Sequence, residues 1–540
     1  MSKSELICKM KAYIQPFERR LALMELESIA GAVPMAEPSL LDEPLGYRVI
    51  TPRPLHYLAD SLTYWETIGL ATAINGYYTR QVRREATVNV PRNGIAPPQI
   101  RALLASADKR ISVLNRRTLR YGPHGAHEYR GKFFPQLVRA LLNIAGVKRG
   151  DIVLDPMCGS GTAPVEASLL GCEAFGVDMN PLSVLMSHAK SAILRVAPDI
   201  LLGEYESLRV DMQRACKGGN TLLWFTRLPE RDRVYLASWF SPQVLADLDL
   251  IAVRVHATSE PACRDLFRLC LSNILRRVSW QKDDDLRVRK EVRPEADVDT
   301  IAEFVKEVDR TVRTVLAFLD EESTFEPGPT QIIEGNARTL KGADEPLFQF
   351  KGQVKAVVTS PPYAMALPYL DTDRLSLCYL GLLSRPDHRV RDYEMIGNRE
   401  VTESRRRAYW SEYQQQRSGL PGDVTTMIDR IHRLNESAEV GFRRRNLAAL
   451  LARYFLDMCQ VFQNIVALLG PSASAYVVIG NNHTFAGGQR VDIETDRLIG
   501  LIGQSVGLTL GQTIPMEMLV SRDIFRRNAV ASETILFFRK

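Results

Sequence analysis

The sequence predicts an α/β fold in which a parallel, doubly wound sheet carries large, mainly helical insertions and follows an N-terminal helical region. The first observation is the run Asp151–Pro181, which reads as strand, glycine-rich loop, helix and second strand, the pattern of one βαβ unit. The second is the return of short runs rich in β-branched residues at Thr330–Gly335 and Val354–Ser360. The third is the mostly helical periodicity of residues 182–326, which separates these two groups of strands.

The composition is that of a soluble globular protein with a large core. The chain has 540 residues, 45% hydrophobic and 24% charged, so two or three domains or one heavily inserted domain are expected. The sequence shows no signal peptide and no apolar run of membrane-spanning length. The eight cysteines include no C-x-x-C pair, which argues against a disulfide framework or a zinc site and favours a reducing cytoplasm.

The strands and helices of the sheet domain are predicted from short apolar runs and from the residues that end them. Gly171, for example, is predicted to end the first helix. The predicted elements are strand Ile152–Leu154, helix Ala163–Leu170, strand Ala174–Val177, helix Ala448–Leu469, strand Ala475–Ile479, helix Asp496–Ser505 and strand Glu533–Phe538. The expected domains are a mainly helical region at 1–120, a core at 121–182, 327–370 and 446–540, a helical insertion at 183–326 and a second insertion at 371–445.

A glycine-rich loop after the first strand is a candidate cofactor site. In LDPMCGSGT, Asp155 ends the strand, and Gly159 and Gly161 let backbone N–H groups approach a ligand before the helix begins. Asp178 ends the next strand, where folds of this kind bind ribose hydroxyls. A dinucleotide motif has a third glycine where this chain has Pro164. That glycine is not required by a cofactor without a pyrophosphate. A tight turn of any α/β protein would also show two glycines, but the two aspartates favour an adenosyl cofactor.

The stretch Ser360–Pro361–Pro362–Tyr363 ends a buried strand with a rigid corner. Prolines fix the backbone, so the carbonyls near Ser360 and Pro361 point in fixed directions and suit the hydrogens of an exocyclic amino group. Tyr363 offers a ring on which a base could stack after leaving its helix. Alone, the corner reads as an ordinary turn; its place after a strand of the same sheet as the glycine loop favours a ligand-binding role.

Taken in order, these motifs resemble those of the amino-group DNA methyltransferases. Asp155–Thr162 (DPMCGSGT) precedes Thr359–Tyr363 (TSPPY), the order of family members that are not circularly permuted. Serine at the head of the second motif is similar to the N4-cytosine branch, since the adenine-N6 branch usually has Asp or Asn there. The resemblance covers roughly residues 121–180 and 330–540 and implies a Rossmann-like sheet that uses S-adenosylmethionine.

The resemblance also implies the residues of two sites. The segment His127–Val138 looks like one that closes over the cofactor, and Val477–Val491 resembles a segment near the target-base pocket. Met157 stands where the family commonly has Phe, and Asn336 where it has an acidic residue. The residues implied in cofactor binding are Tyr129, Lys132, Phe133, Asp155, Met157, Gly159, Gly161, Thr162, Asp178 and Asn336. The residues implied in catalysis are Ser360, Pro361, Pro362 and Tyr363.

The function predicted from the sequence is site-specific methylation of the exocyclic N4 amine of cytosine in DNA, in restriction-modification or phage defence. Carbon-5 methylation would use a cysteine nucleophile, usually after a proline, and the sequence has no Pro-Cys pair. Cys158 has no histidine near it in sequence and is interpreted as a packing residue. Two alternatives stay open: methylation of adenine N6 or of an RNA base, and a non-catalytic subunit that retains the fold.

The expected partners are double-stranded DNA and a protein of the same defence system. The net charge of +6 is mild, but arginines cluster locally, and such clusters suit phosphate backbones although a single one is more often a solvated helix face. The clusters lie at Arg92–Arg101, Asn115–Gly122, Leu275–Lys290 and Gly441–Asn446. The N-terminal region and both insertions are candidate carriers of target recognition, and the sequence does not choose among them.

Overall fold

The structure is a computed structural model that describes most of the chain. The described residues are 3–39, 44–73, 76–88, 118–129, 131, 133–214, 222–282, 289–292, 298–364, 369–399, 401–436, 440–517 and 532–540. Within these ranges, no helix is both long enough and apolar enough to cross a bilayer.

The N-terminal region is mixed α/β, which corrects the prediction of a mainly helical region. Its five strands form an antiparallel sheet in the order β2-β3-β1-β4-β5. The strands are β1 Ser4–Met10, β2 Met35–Ala36, β3 Gly46–Thr51, β4 Trp65–Leu70 and β5 Tyr77–Tyr78, and the helices are α1 Pro16–Ala30, α2 Leu55–Ser61 and α3 Arg80–Ala86. In β1 the side chains of Leu6, Cys8 and Met10 are buried on one face, whereas the two residues of β2 and of β5 are exposed.

The central sheet has seven strands in the order β13-β14-β10-β9-β6-β7-β8 and confirms the predicted Rossmann-like α/β fold. Neighbouring strands from β8 to β10 are parallel, whereas β14 runs antiparallel to both β10 and β13. These strands are β6 Ile152–Asp155, β7 Glu173–Asp178, β8 Thr330–Glu334, β9 Val354–Thr359, β10 Leu469–Gly480, β13 Thr509–Glu517 and β14 Ser532–Arg539, with a separate hairpin of β11 Asn482–Ala486 and β12 Gln489–Ile493.

Helices cover both faces of the central sheet and fill the two insertions. They are α4 Pro135–Ile144, α5 Thr162–Leu169, α6 Pro181–Ala192, α7 Pro198–Arg214, α8 Glu230–Ala237, α9 Pro242–His256, α10 Pro261–Val278, α11 Thr300–Glu321, α12 Tyr369–Tyr379, α13 Arg385–Glu394, α14 Glu403–Gln416, α15 Gly422–Glu436, α16 Phe442–Leu468 and α17 Thr495–Ser505. One core joins the N-terminal region to α4 and one face of the sheet, a second packs α16 and α17 on the other face, and a third lies among the helices of α6 to α12.

A buried ionic cluster fixes the helix that follows the glycine loop. Glu166 of α5 accepts hydrogen bonds from Arg139 Nε at 2.9 Å and from the Tyr121 hydroxyl at 3.1 Å, and His124 Nε2 lies 2.9 Å from the same carboxylate. Burial alone would raise the pKa of Glu166, but Arg139 and His124 outweigh it and hold the pKa at about 2. Each of these buried charges has an opposite partner, and the Arg139–Glu166 pair joins α4 to α5 beneath the loop.

Candidate active site

The candidate active site lies at the carboxyl edge of the central sheet, where the strand order reverses between β6 and β9. Asp155 ends β6, and Ser360 directly follows β9. The two strands are paired in parallel, with Leu154 beside Val357. In sheets of this kind, ligands bind in the crevice outside the strand ends at such a reversal. The fold therefore brings together the two motifs that lie about 200 residues apart in the sequence.

Close packing fixes the path of the glycine loop. Gly161 has a φ of +81°, and a Cβ atom added there would lie 2.6 Å from the Cα atom of Ser187 on α6. Ser187 also donates from its hydroxyl to the Gly159 carbonyl at 2.9 Å. Helix α5 begins at Thr162 directly after the loop, so the positive end of its dipole lies at the carboxyl edge of the sheet.

The segment predicted to close over the cofactor contacts this loop. A Cβ atom added at Gly159 would lie 3.0 Å from Tyr129 Cε1, so the tyrosine ring lies directly against the glycine. The Thr162 hydroxyl donates to the Phe133 carbonyl at 3.4 Å. Lys132 lies outside the described residues. These contacts place Tyr129 and Phe133 against the glycine loop.

Asp178 lies at the end of β7 with both carboxylate oxygens engaged by backbone. Gly159 N–H donates to Oδ2 and Asn180 N–H to Oδ1, each at 2.8 Å. Burial raises the pKa of Asp178 to about 6, while these backbone hydrogen bonds act in the opposite direction. Each carboxylate oxygen retains accepting capacity, so the group can still receive ligand hydroxyls.

Asp155 is the buried carboxylate of the loop. Its Oδ1 accepts a hydrogen bond from Met157 N–H at 3.1 Å. Burial raises the pKa of Asp155 to about 7, and the negative charge of Asp178 acts in the same direction. The Met157 side chain is partly exposed and packs against the core under the sheet edge, which makes it an apolar surface available to a ligand.

Asn336, the residue at the acidic position of the resemblance, is turned toward a neighbouring arginine. Its Oδ1 accepts hydrogen bonds from Arg338 N–H and Arg338 Nε, both at 3.0 Å. Arg338 in turn pairs with Asp457 at 2.9 Å. The Asn336 oxygen is thus engaged within the protein, and its amide NH2 group is the donor that remains for a ligand.

The Ser-Pro-Pro-Tyr corner is held by three residues that are distant in sequence. Asn482 Nδ2 donates to the Ala364 carbonyl at 3.0 Å, and the Tyr363 hydroxyl donates to Glu533 Oε1 at 2.5 Å. A Cβ atom added at Gly397 would lie 3.3 Å from Pro362 Cβ, so the chain passes close to the second proline. Asn482 lies within the segment singled out from the sequence, whereas nothing in the sequence pointed to Glu533 or Gly397.

Helices of the second insertion are bonded to the rim of the crevice. Asn180 Nδ2 donates to Asp373 of α12 at 3.0 Å. Arg391 of α13 donates to the Met179 carbonyl at 2.6 Å and to Glu334 at 2.8 Å. The strand ends that carry Asp178 and Glu334 are therefore tied to residues 371–445, a link that sequence reasoning missed because no local pattern marks it.

Neither Cys158 nor His127 has the setting of a nucleophile or a base. Burial raises the pKa of the Cys158 thiol well above its ordinary value, so the thiolate is disfavoured. His127 is buried, with Nε2 2.9 Å from the Ser272 hydroxyl and Nδ1 2.6 Å from the Glu128 carbonyl. Cys158 is therefore a buried residue of the glycine loop, and His127 is held between Glu128 and helix α10.

The donor set at the glycine loop fits S-adenosylmethionine. Asp178 supplies a carboxylate for hydroxyl groups, Met157 an apolar surface, and the start of α5 the positive end of a helix dipole. Among the described residues, no group of histidines, cysteines and carboxylates is arranged to hold a metal ion.

Comparison with known proteins finds a family match that includes the glycine loop. Residues 126–197 match the family described as UPF0020, RMKL-like, methyltransferase domain. The chain is 28% identical over 295 residues to the Type II methyltransferase M.MvaI of Kocuria varians, covering 51% of this chain and 62% of that relative. It is 21% identical over 403 residues to the Type II methyltransferase M.BsoBI of Geobacillus stearothermophilus, covering 67% of this chain and 75% of that relative.

A shorter sequence match is to a tRNA-modifying enzyme, and a low-scoring structural match covers almost the whole chain. A tRNA (guanine(10)-N2)-dimethyltransferase of Methanocaldococcus jannaschii is 50% identical over 50 residues, which is 9% of this chain and 14% of that relative. The solved structure of TrmN from Thermus thermophilus aligns over 99% of both chains with 10% identity and a TM-score of 0.32. The sheet topology is that of a Rossmann-like α/β fold, residues 126–197 match a methyltransferase domain, and the chain is similar at low identity to Type II methyltransferases.

Proposed function

We propose that the chain is an S-adenosylmethionine-dependent DNA methyltransferase that modifies the exocyclic N4 amine of cytosine. The observation that carries the proposal is the meeting of the glycine loop and the Ser360 corner at the strand-order reversal. The Type II relatives support DNA as the substrate and a role in restriction-modification. A second protein of such a system is the expected partner.

The residues of the corner would orient the acceptor amine. When bound, S-adenosylmethionine supplies the methyl group that this amine receives. The carbonyls of Ser360 and Pro361, fixed by the two prolines, accept the amine hydrogens and so direct its lone pair. The Tyr363 ring stacks on the base once it has left the helix. Cofactor binding falls to Gly159, Gly161 and the Asp178 carboxylate, with the rest of the loop around them.

A second candidate keeps the chemistry and changes the substrate to an RNA base. The match to the tRNA (guanine(10)-N2)-dimethyltransferase favours it, because that relative is named for methylation of an exocyclic amine in RNA. This match covers only 9% of the chain, whereas the Type II matches cover 51% and 67%. DNA is therefore the better supported substrate. Adenine N6 and a non-catalytic role are outcomes that the experiments below separate.

Cofactor affinity is expected to decrease as the pH decreases. Asp178, with a pKa of about 6, is mostly ionised at pH 7 and mostly protonated at pH 5, and the ionised form is the better acceptor for ribose hydroxyls. The loss is about tenfold between pH 7 and pH 5, measured by isothermal titration with S-adenosylmethionine. In Asp178→Asn, affinity should be lower at pH 7 and its pH dependence shallower, with the remainder due to Asp155. Parallel pH profiles in the variant and the wild type would contradict the role of Asp178.

The substrate class is tested by supplying DNA and RNA side by side. The purified chain is incubated with methyl-labelled S-adenosylmethionine and duplex DNA or RNA of the same mixed sequence. Label in DNA alone is the expected result. Label in RNA alone would select the second candidate, and the absence of label from both, with cofactor binding retained, would favour the non-catalytic alternative.

A further inference from the structure

Glu533 belongs to the same sheet edge as the two motifs. It lies at the start of β14, beside Gly480 at the end of β10 and beside Met516 of β13. Because β14 is antiparallel, its first residues lie at the carboxyl edge of the parallel strands. Val477 of β10 pairs with Thr359, so Gly480 and Glu533 stand beyond the end of β9, next to the Ser360 corner.

The backbone position of Glu533 is set independently of Tyr363. The following residue, Thr534, donates from its hydroxyl to Asp496 Oδ2 at 2.7 Å. Asp496 N–H in turn donates to Asn481 Oδ1 at 3.0 Å, at the end of β10. Pairing with β10 and β13 and these two hydrogen bonds hold the start of β14 in place. The carboxylate of Glu533 is therefore a fixed acceptor for the Tyr363 hydroxyl.

The contact itself is short and shielded. The Tyr363 hydroxyl donates to Glu533 Oε1 at 2.5 Å, and both side chains are half-buried. Burial raises the pKa of Glu533, while the Tyr363 hydroxyl opposes that rise. A hydrogen bond at the far end of the ring restricts the direction of the Tyr363 side chain, and Asn482 restrains the backbone of the next residue by donating to the Ala364 carbonyl. The ring is thereby oriented before any base arrives.

We propose that Glu533 is a positioning residue that fixes the Tyr363 ring as the stacking surface for the extruded target base. The inference rests on the proposed function and extends it to a residue 170 positions away in sequence. Glu533 touches the ring rather than the reacting atoms, so its loss should lower the rate of methyl transfer while leaving S-adenosylmethionine affinity unchanged. Holding the ring in place before the base arrives affects the rate of the reaction in the bound complex.

A double-mutant cycle tests the coupling. Glu533→Ala should lower kcat for methyl transfer about tenfold, the equivalent of one charge-assisted hydrogen bond. Glu533→Gln keeps an acceptor oxygen and should recover most of the rate, a rescue that general destabilisation of β14 would not give. Adding Glu533→Ala to Tyr363→Phe should cost little more than Tyr363→Phe alone, because the hydroxyl is already absent. Additive losses, or lowered cofactor affinity in Glu533→Ala, would overturn the proposal.

A second readout needs no activity. In a chain labelled with 13C at the tyrosine ζ-carbon, the Tyr363 signal is the one lost in Tyr363→Phe, and it should shift in Glu533→Ala. An unshifted signal would overturn the contact whatever the enzyme methylates. A wild-type chain that labels no nucleic acid would instead refute the proposed function, and with it the base-stacking role of Glu533, even where the signal shifts.

Discussion

Tyr363→Ala is expected to lower methyl transfer about 100-fold while S-adenosylmethionine binds as in the wild type. Stacking of a base on an aromatic side chain contributes about 1–3 kcal/mol, and loss of the ring also removes the surface that orients the amine. Tyr363 belongs to the corner after β9 rather than to the glycine loop after β6, and its hydroxyl donates to Glu533 Oε1. The effect should therefore fall on kcat rather than on cofactor affinity, as measured by steady-state kinetics and calorimetry.

The matched control is Phe348→Ala. Phe348 is an exposed aromatic residue that precedes β9, so it lies toward the opposite edge of the sheet. Its removal should leave methyl transfer within about twofold of the wild type, as is usual for surface substitutions. If Tyr363→Ala kept full activity, the corner would be structural only, and the account of how the amine is oriented would be wrong.

Gly161→Ala is expected to weaken S-adenosylmethionine binding by about 100-fold. The φ of +81° disfavours any side chain, and the added Cβ atom would come within 2.6 Å of a backbone atom of α6. The loop must therefore move by about 1 Å, and a misplacement of that size can cost about 100-fold where groups have to be positioned. Calorimetric titration with the cofactor measures the effect.

Gly150→Ala separates the clash from backbone strain. Gly150 has a φ of +84°, close to that of Gly161, but no atom lies within 4 Å of its added Cβ. Its substitution should cost about 1–2 kcal/mol of unfolding free energy and leave cofactor affinity unchanged. Equal cofactor affinity in the two variants would show that the glycine loop is not the cofactor site.

The sequence predicts the parts of the fold whose signals are local. The strand, glycine turn and helix around Asp155 appear within two residues of their predicted bounds, because apolar runs and glycine stops mark them. The helix predicted to start at Ala448 begins at Phe442, since its first turn is rich in arginine and carries no apolar periodicity. The antiparallel N-terminal sheet and β13 were missed, because β2 and β5 have two residues each and β13 is largely exposed, so none of the three forms the apolar run that marks a buried strand.

The candidate site also has a part that could be predicted from the sequence and a part that could not. Asp155, Asp178 and Ser360 could be placed at one sheet edge from sequence, because parallel strands align their carboxyl ends. The contacts of Tyr363 with Glu533 and of Arg391 with Glu334 could not, since pairs 170 and 57 positions apart leave no pattern in one sequence. The resemblance identified the two motifs, whereas the side chains that contact them could be identified only from the three-dimensional structure.

Nucleoside mass spectrometry of DNA methylated by the purified chain tests the central claim most directly. Mixed-sequence duplex DNA is incubated with methyl-labelled S-adenosylmethionine, digested to nucleosides and separated by mass and retention. Labelled N4-methylcytosine, lowered about 100-fold in the Tyr363→Ala reaction, is the predicted result. Labelled N6-methyladenine would keep the fold and the cofactor but contradict the assignment of the Ser360 corner to the cytosine amine.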